Sequence, residues 1–182
     1  MDREQEALLV GRVAKGDRAA FGVLVEQHQR PLSNYARRML SDVSGADDIV
    51  QETFVRLWTR AGSFNSATAR LTTWLHNIAH NLCIDSFRRN ARLEFTDDEA
   101  RLESADTGPY ADFEAMEKAD RVRLALQGLS ERQRSALLMC HYQGLSNRDA
   151  AKILDVSVEA LESLLARGRR RLKEELLSND ES

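Results

Sequence analysis

Gly144-Leu145-Ser146-Asn147-Arg148-Asp149-Ala150-Ala151-Lys152-Ile153-Leu154-Asp155-Val156-Ser157-Val158 spells the end of one helix, a whole second helix, a turn and the start of a third. Glycine takes the left-handed conformation that ends a helix, and the leucine after it packs back on the turn just finished. Ser146 then caps the next helix, with Asp149 three residues on to complete a capping box. That helix turns Ala150, Ala151, Ile153 and Leu154 inward and stops at Asp155-Val156-Ser157. The following helix bears Leu161, Leu164, Leu165, Gly168 and Leu172 on one face. Two short helices joined by a three-residue turn make a helix-turn-helix, whose second helix enters the major groove of DNA. This one ends in Arg167-Gly168-Arg169-Arg170-Arg171, the densest basic cluster of the chain, able to meet phosphates or guanine edges. The pattern also suits a solvated helical pair whose arginines only complement a helix dipole. Gly168 inside a helix costs about 1 kcal/mol relative to alanine, which points to a close backbone approach there.

Working outward, Gly128-Leu129-Ser130 repeats the stop-and-start signal, with Gln133 as the box partner. Helical spacing continues through the first ninety or so residues. Asp17 caps a helix through Phe21, Leu24 and Val25. Pro31 predicts a break near Gln29-Arg30, with resumption through Leu32, Tyr35, Ala36 and Leu40. Val50, Phe54, Leu57 and Trp58 recur as one buried helix face. After a break at Gly62-Ser63-Phe64-Asn65-Ser66, a further helix carries the stripe Trp74, Leu75, Ile78, Leu82. Strand-like alternation is absent, so the chain is expected to be all-α.

The net charge of -3 conceals a division. Residues 1–92 hold 13 Lys/Arg against 10 Asp/Glu, residues 93–119 hold 2 against 9, and residues 120–182 hold 11 against 10. Two near-neutral or basic lobes are thus joined by an acidic strip, and such asymmetry matters more for partners than the overall balance. The strip, with Asp97-Asp98-Glu99, Thr107-Gly108-Pro109 and few large apolar residues, reads as a flexible linker. The expected organisation is two small helical domains, 1–92 and 119–182, tethered by 93–118, the second containing the helix-turn-helix. No stretch approaches the ~18 apolar residues of a membrane span, and the N-terminus lacks the pattern of a signal peptide. Cys83 and Cys140 give no disulfide framework. A cytoplasmic protein without membrane insertion is expected.

Ser146 to Val158 resembles the fourth conserved region of bacterial sigma factors, and Leu129-Ser130-Glu131-Arg132-Gln133-Arg134 is similar to that region's opening helix. An independent likeness lies in the first lobe. Asp47-Asp48-Ile49-Val50-Gln51-Glu52-Thr53-Phe54-Val55-Arg56-Leu57-Trp58 resembles the family's polymerase-binding helix. Trp74-Leu75-His76-Asn77-Ile78-Ala79-His80-Asn81-Leu82, with Asp85 and Arg88-Arg89, resembles the helix that melts and reads the -10 element. The chain's shortness, with no recognisable third region, points to the extracytoplasmic-function (ECF) group. The resemblance implies binding to the clamp and flap of RNA polymerase core, recognition of -10 and -35 promoter elements, and an anti-sigma partner. It places Asp47, Asp48, Gln51, Glu52, Val55 and Trp58 on the polymerase. It places Asn65, Ser66, Arg70, Trp74, His80, Asn81, Arg88 and Arg89 on -10 DNA, where the loop Phe64–Arg70 would capture a flipped base. Arg148, Ser157, Glu159, Ser163, Arg167, Arg170 and Arg171 fall on -35 DNA. One departure stands out. Leu161-Glu162-Ser163-Leu164-Leu165 carries an acid where the family's recognition helix often has a base.

Other chemistries fare worse. His76, His80 and Cys83 at i, i+4 and i+7 have a spacing that can bind zinc, but Asn77 stands where a metalloprotease motif has glutamate. These residues are expected to be structural or DNA-facing, with no metal or cofactor. No nucleophile–base pair or glycine-rich phosphate loop suggests an enzyme. A helix-turn-helix repressor or activator would want a dimerisation or ligand-sensing lobe, and none is visible. A protein-binding adaptor would leave the arginine cluster unexplained.

Overall fold

The computed structural model describes residues 2–40, 42–94 and 121–178, all of them helical, turn or loop, with no strand among them. They fall in two compact units, one within Met1–Ala100 and one within Arg101–Ser182. The acidic segment expected to be a flexible linker lies, beyond Glu94, outside the described residues.

The N-terminal unit comprises α1 (Arg3–Val13), α2 (Arg18–Met39), α3 (Val43–Arg60), a 3-10 turn (Ala61–Ser63) and α4 (Leu71–Glu94). Its first three helices open on an aspartate whose carboxylate accepts backbone N–H groups. Asp2 takes that of Gln5, Asp17 that of Ala20, and Asp42 those of Ser44 and Gly45. The expected break at Gln29-Arg30 does not occur, for α2 runs unbroken through Pro31. A proline inside a helix costs about 3 kcal/mol. Leu24, His28, Leu32, Tyr35, Ala36 and Met39 all point into the core from this one helix. Each buried aliphatic contributes about 1.5–3 kcal/mol, so the continuous stripe prevails over the kink.

On α4 the buried face is only in part the expected one, sharing Leu75 with it. Leu71, Leu75, His76, Ala79, His80 and Cys83 are buried, while Trp74, Ile78 and Leu82 lie half-buried beside them. Histidine belongs to the core here because each ring finds polar company. Nδ1 of His76 donates to the Thr72 carbonyl at 2.8 Å, and Nδ1 of His80 lies 3.0 Å from the Tyr35 hydroxyl. Burial pulls His80 down to about 4 and is the main cause of a similar fall at His28. Beside His28, at 3.4 Å, stands Glu6, whose carboxyl burial raises.

The C-terminal unit comprises α5 (described over 121–127), α6 (Glu131–Leu137) running into a π turn (Leu138–Tyr142), α7 (Asn147–Ile153) and α8 (Val158–Ser178). Ser130 and Gln133 form the full capping box of α6. At α7 the box is altered. Ser146 Oγ accepts from the Asp149 N–H at 3.1 Å, and the shorter Asp149 side chain accepts from that hydroxyl at 2.7 Å. Gly144 has the expected left-handed conformation, φ 65°. Gly128 does not, because the end of α5 is closed another way. Buried Arg134 donates to the carbonyls of Leu126 and Gln127, both at 2.9 Å, and of Leu129 at 3.4 Å. A guanidinium fork satisfies several terminal carbonyls at once and meets the negative helix end. The turn between α7 and α8 places Asp155 at φ 51°, and the Ser157 hydroxyl accepts from the Ala160 N–H at 3.1 Å.

The close approach expected at Gly168 is present. A Cβ there would stand 3.0 Å from Leu137 Cδ1, and both residues are buried. Gly168→Val should therefore destabilise the C-terminal unit by about 1–3 kcal/mol through overpacking. Both tryptophans, Trp58 and Trp74, lie in the N-terminal unit. Urea unfolding followed by circular dichroism should shift in this variant, while the tryptophan fluorescence transition should not.

His80 generates a second prediction. Its folded pKa of about 4 lies below the usual 6.5, so the unfolded chain takes up the proton first. Its contribution to stability is complete above 6.5 and is lost as pH falls towards 4. The fluorescence-monitored urea midpoint should drop across that window. His80→Gln, which keeps an acceptor for Tyr35 but cannot titrate, should show a shallower decline.

Candidate functional site

On α3, burial of Ala46, Ile49, Val50, Phe54 and Leu57 leaves Asp47, Asp48, Gln51 and Val55 outward. Asp47 pairs with Arg37 at 3.1 Å, and half-buried Glu52 with Arg56 at 2.9 Å. Val55 is 47% exposed, an apolar side chain set in a polar stripe. Trp58 turns the other way, edge-on to Phe21 with ring centroids 5.2 Å apart. A groove of about 640 Å³ runs between α3 and α4, with Asp48, Gln51, Glu52 and Val55 on one wall and Leu82, Ser86 and Arg89 on the other.

The residues of α4 expected on DNA separate into three directions. Half-buried Trp74 and exposed Asn81 and Arg88 follow the outer ridge of the helix. Asn81 donates to the Asn77 side chain at 3.1 Å, and Arg88 lies 3.6 Å from Asp85. Arg89 is exposed but lines the groove facing α3. His80 is inside the unit against Tyr35, so its ring cannot reach a nucleic acid outside, which corrects its expected placement. Cys83 is buried with it, its thiol pushed up to about 12 by burial. Among the described residues no three His, Cys, Asp or Glu side chains are arranged to hold a metal ion.

The loop before α4 is braced from within. Asn65 Oδ1 accepts from the Ala67 N–H at 2.9 Å, and the Thr68 hydroxyl donates to the Asn65 carbonyl at 3.0 Å. Arg3 of α1 donates to the Ser66 carbonyl. Phe64 and Trp74 pack with centroids 5.6 Å apart. Asn65 and Arg70 remain exposed beside this aromatic pair.

In the C-terminal unit α8 buries Leu161, Leu165 and Gly168. At 100° per residue this leaves Glu159, Ser163, Ala166 and Arg170 along the outermost ridge, all exposed. Arg148 is exposed in the first turn of α7, and Ser157 caps α8. Glu159 accepts from its own backbone N–H and from the Ser157 hydroxyl, which hold its carboxyl below the usual range. Arg167 donates to the Ser163 carbonyl at 3.2 Å, and Arg171 pairs with Glu175 at 2.8 Å. The arginines lie in the later turns of α8, with no Lys or Arg from Val158 to Ala166.

Sequence reasoning missed the second wall of the α3–α4 groove. The spacing of Leu82, Ser86 and Arg89, at i, i+4 and i+7, was the available signal, but only packing shows that this face looks at α3. No described helix is long and apolar enough to cross a membrane.

Residues 24–93 match the family described as Sigma-70 region 2, and residues 119–172 that described as Sigma-70, region 4. The ECF RNA polymerase sigma factor SigM of Mycobacterium tuberculosis is 38% identical over 172 residues, 94% of this chain and 84% of SigM. The RNA polymerase sigma-H factor of Pseudomonas aeruginosa is 30% identical over 180 residues, 93% of this chain and 92% of that one. Among solved structures, the sigma factor RpoE in complex with the anti-sigma factor NepR from Bartonella quintana has a TM-score of 0.74 at 28% identity, covering 86% and 96% of the two chains. CnrH in complex with the cytosolic domain of CnrY has a TM-score of 0.71 at 30% identity, covering 97% and 99%. With both sigma-70 regions in chain order and sigma factors matched over most of their length, this chain belongs to the ECF RNA polymerase sigma factors, which direct promoter-specific initiation of transcription.

Proposed function

We propose that the two units divide this task in the cytoplasm, with no catalytic chemistry of their own. Residues 1–92 bind polymerase core and act on the -10 element, and residues 119–182 read the -35 element as duplex. The observation that carries the reading is the separation of two exposed surfaces on the N-terminal unit. The α3 stripe of Asp48, Gln51, Glu52 and Val55 faces the groove, whereas Asn65, Arg70, Trp74, Asn81 and Arg88 lie on the loop and outer ridge. A sigma factor needs two such surfaces because it holds protein and DNA at the same time. The acidic stripe with one exposed valine suits a basic helical partner such as the polymerase clamp, since complementary charge steers docking and an apolar anchor retains it. The polar loop beside Phe64 and Trp74 suits an unpaired base, which needs a stacking face and hydrogen-bonding edges. Two relatives were solved with a bound partner, one of them an anti-sigma factor. We extend that to this chain as a partner that covers the α3 groove and excludes core.

Asp48→Arg with Glu52→Arg reverses the sign of the stripe without touching the core of the unit. Affinity for polymerase core, measured by fluorescence anisotropy, should fall by tenfold or more, since like charges brought together at an interface cost several kcal/mol. Helicity should be unchanged. Native affinity in a folded variant would remove the stripe from the interface.

The loop yields a separate test. Arg70→Ala holoenzyme should open a duplex promoter several-fold more slowly while binding -35 duplex as the wild type does. Arg167→Ala with Arg170→Ala should do the reverse, with a shallower dependence of binding on salt as phosphate contacts are lost. Permanganate footprinting on duplex and pre-melted promoters distinguishes the two defects. Full opening by the loop variant would end the assignment.

A further inference from the structure

We infer that Arg3 is a positioning residue for strand opening. From the first turn of α1 it holds the Ser66 carbonyl, and this sets the direction in which the loop Phe64–Arg70 offers Asn65 and Arg70 to an unpaired base. The inference rests on the reading of that loop as the base-capturing element and adds what aims it.

The loop takes its shape from bonds within itself. The Phe64 N–H donates to the Ala61 carbonyl at 3.1 Å, and those of Thr68 and Ala69 to the Asn65 carbonyl at 3.1 and 3.2 Å. The Trp74 N–H donates to the Arg70 carbonyl at 3.0 Å, joining the loop to the start of α4. These bonds run between residues 61 and 74, as do the side-chain bonds of Asn65 and Thr68. Local bonds fix a conformation but not its direction, because the whole turn can still swing about its two ends. A bond from a separate element removes that freedom. Arg3 supplies one from 63 residues away in the chain, and it falls on Ser66, inside the loop rather than at either end.

The helix that carries Arg3 is a firm base for such a hold. Arg3, Glu6, Val10 and Val13 fall at i, i+3, i+7 and i+10, one stripe of α1. The two valines are buried in the unit. α1 packs on α2, and also on the turn Ala61–Ser63 and on α4, the two elements that flank the loop. Towards the loop the stripe changes from valine to a carboxylate and a guanidinium. Glu6 is tied to α2, with the Gln27 amide donating to it and the His28 ring beside it, both at 3.4 Å. Burial raises its carboxyl, and the charge of Arg70 is among the influences that oppose the rise. One helix thus grips the loop at Ser66 and sets a countercharge toward Arg70, the loop's charged side chain. A guanidinium suits the grip, because its planar fork loses little freedom for each bond it forms.

Opening is followed by permanganate reactivity of the -10 element on a duplex promoter. Base discrimination is read by competition between pre-melted promoters that differ at single -10 positions. Arg3→Ala holoenzyme should open the duplex roughly three- to tenfold more slowly, the scale of one hydrogen bond lost at an exposed site. Discrimination at one -10 position should fall by a similar factor, with binding to -35 duplex and the urea midpoint as in the wild type. Arg3→Lys, which keeps a donor, should recover most of both. Arg12→Ala is the control on the same helix, since Arg12 pairs with Asp17 at 2.7 Å and not with the loop. It should match the wild type. Equal defects in Arg3→Ala and Arg12→Ala, or a loss spread evenly over every -10 position, would overturn the inference, because α1 would then act through the fold alone. Wild-type behaviour of Arg3→Ala beside slow opening by Arg70→Ala also overturns it, and leaves the reading of the loop standing. If both variants open and discriminate as the wild type does, the reading of the loop itself fails and the inference with it.

Discussion

Gly168 lies against Leu137 with no side chain between, and the rotational setting of α8 follows from that contact. A Cβ at 168 would meet Leu137 Cδ1 at 3.0 Å, so glycine here allows α8 to lie directly on α6. Helix propensity loses about 1 kcal/mol, and the fully buried Leu161 and Leu138 show what the close packing recovers. Rotation by one residue, 100°, would bury Glu162 and Arg169 and turn a leucine to solvent. The ridge that carries Glu159, Ser163 and Arg170 is therefore determined from the opposite side of the helix. Arg134 does similar work one turn before Leu137 on α6, closing α5 with one buried guanidinium whose desolvation lowers its pKa. These two constraints hold α5, α6 and α8 in one arrangement, and α7 is left to present the turn.

The N-terminal unit is organised by polar groups in its core. Tyr35, His76 and His80 meet between α2 and α4, with the Tyr35 and His76 rings edge-on at 5.6 Å. Buried hydrogen-bonding groups specify register more sharply than leucines do, because a shifted arrangement leaves them unsatisfied. That register sets Leu82, Ser86 and Arg89 against α3 and sends Trp74, Asn81 and Arg88 to the outer ridge. A single helix thus presents Arg89 toward α3 along one edge and Trp74, Asn81 and Arg88 along another.

Signals confined to a few residues were legible in the sequence. Asp17, Ser130 and Ser146 cap helices as their neighbours require, and Gly144 turns left-handed. Gly128 shows the limit of such reading, since its helix end is closed by an arginine six residues farther on. Pro31 misled for a related reason. Its local cost is plain in the sequence, but the stripe that outweighs it spans Leu24 to Met39. On α4, apolar spacing selected Leu75, which is buried, but with it the half-buried Trp74, Ile78 and Leu82, because histidine counts as polar until Tyr35 is seen beside it. The outward residues of α3 were legible from its own periodicity. The destinations of His80 and Arg89 were not, because both depend on which helix packs against which face.

Charge along α8 shows how little of DNA recognition an overall balance conveys. The chain is acidic by three charges, and the first nine residues of α8 carry two glutamates and no base. In the proposed reading, phosphate attraction falls to the arginines in the later turns. An affinity that rests on phosphate contacts is strongly screened by salt. A sigma factor tolerates that weakness because a second unit on the same chain holds the same promoter. Linked binding multiplies the two affinities through the effective concentration of the tether. The first turns of α8 can then do without a cation, where a lone DNA-binding domain would need one.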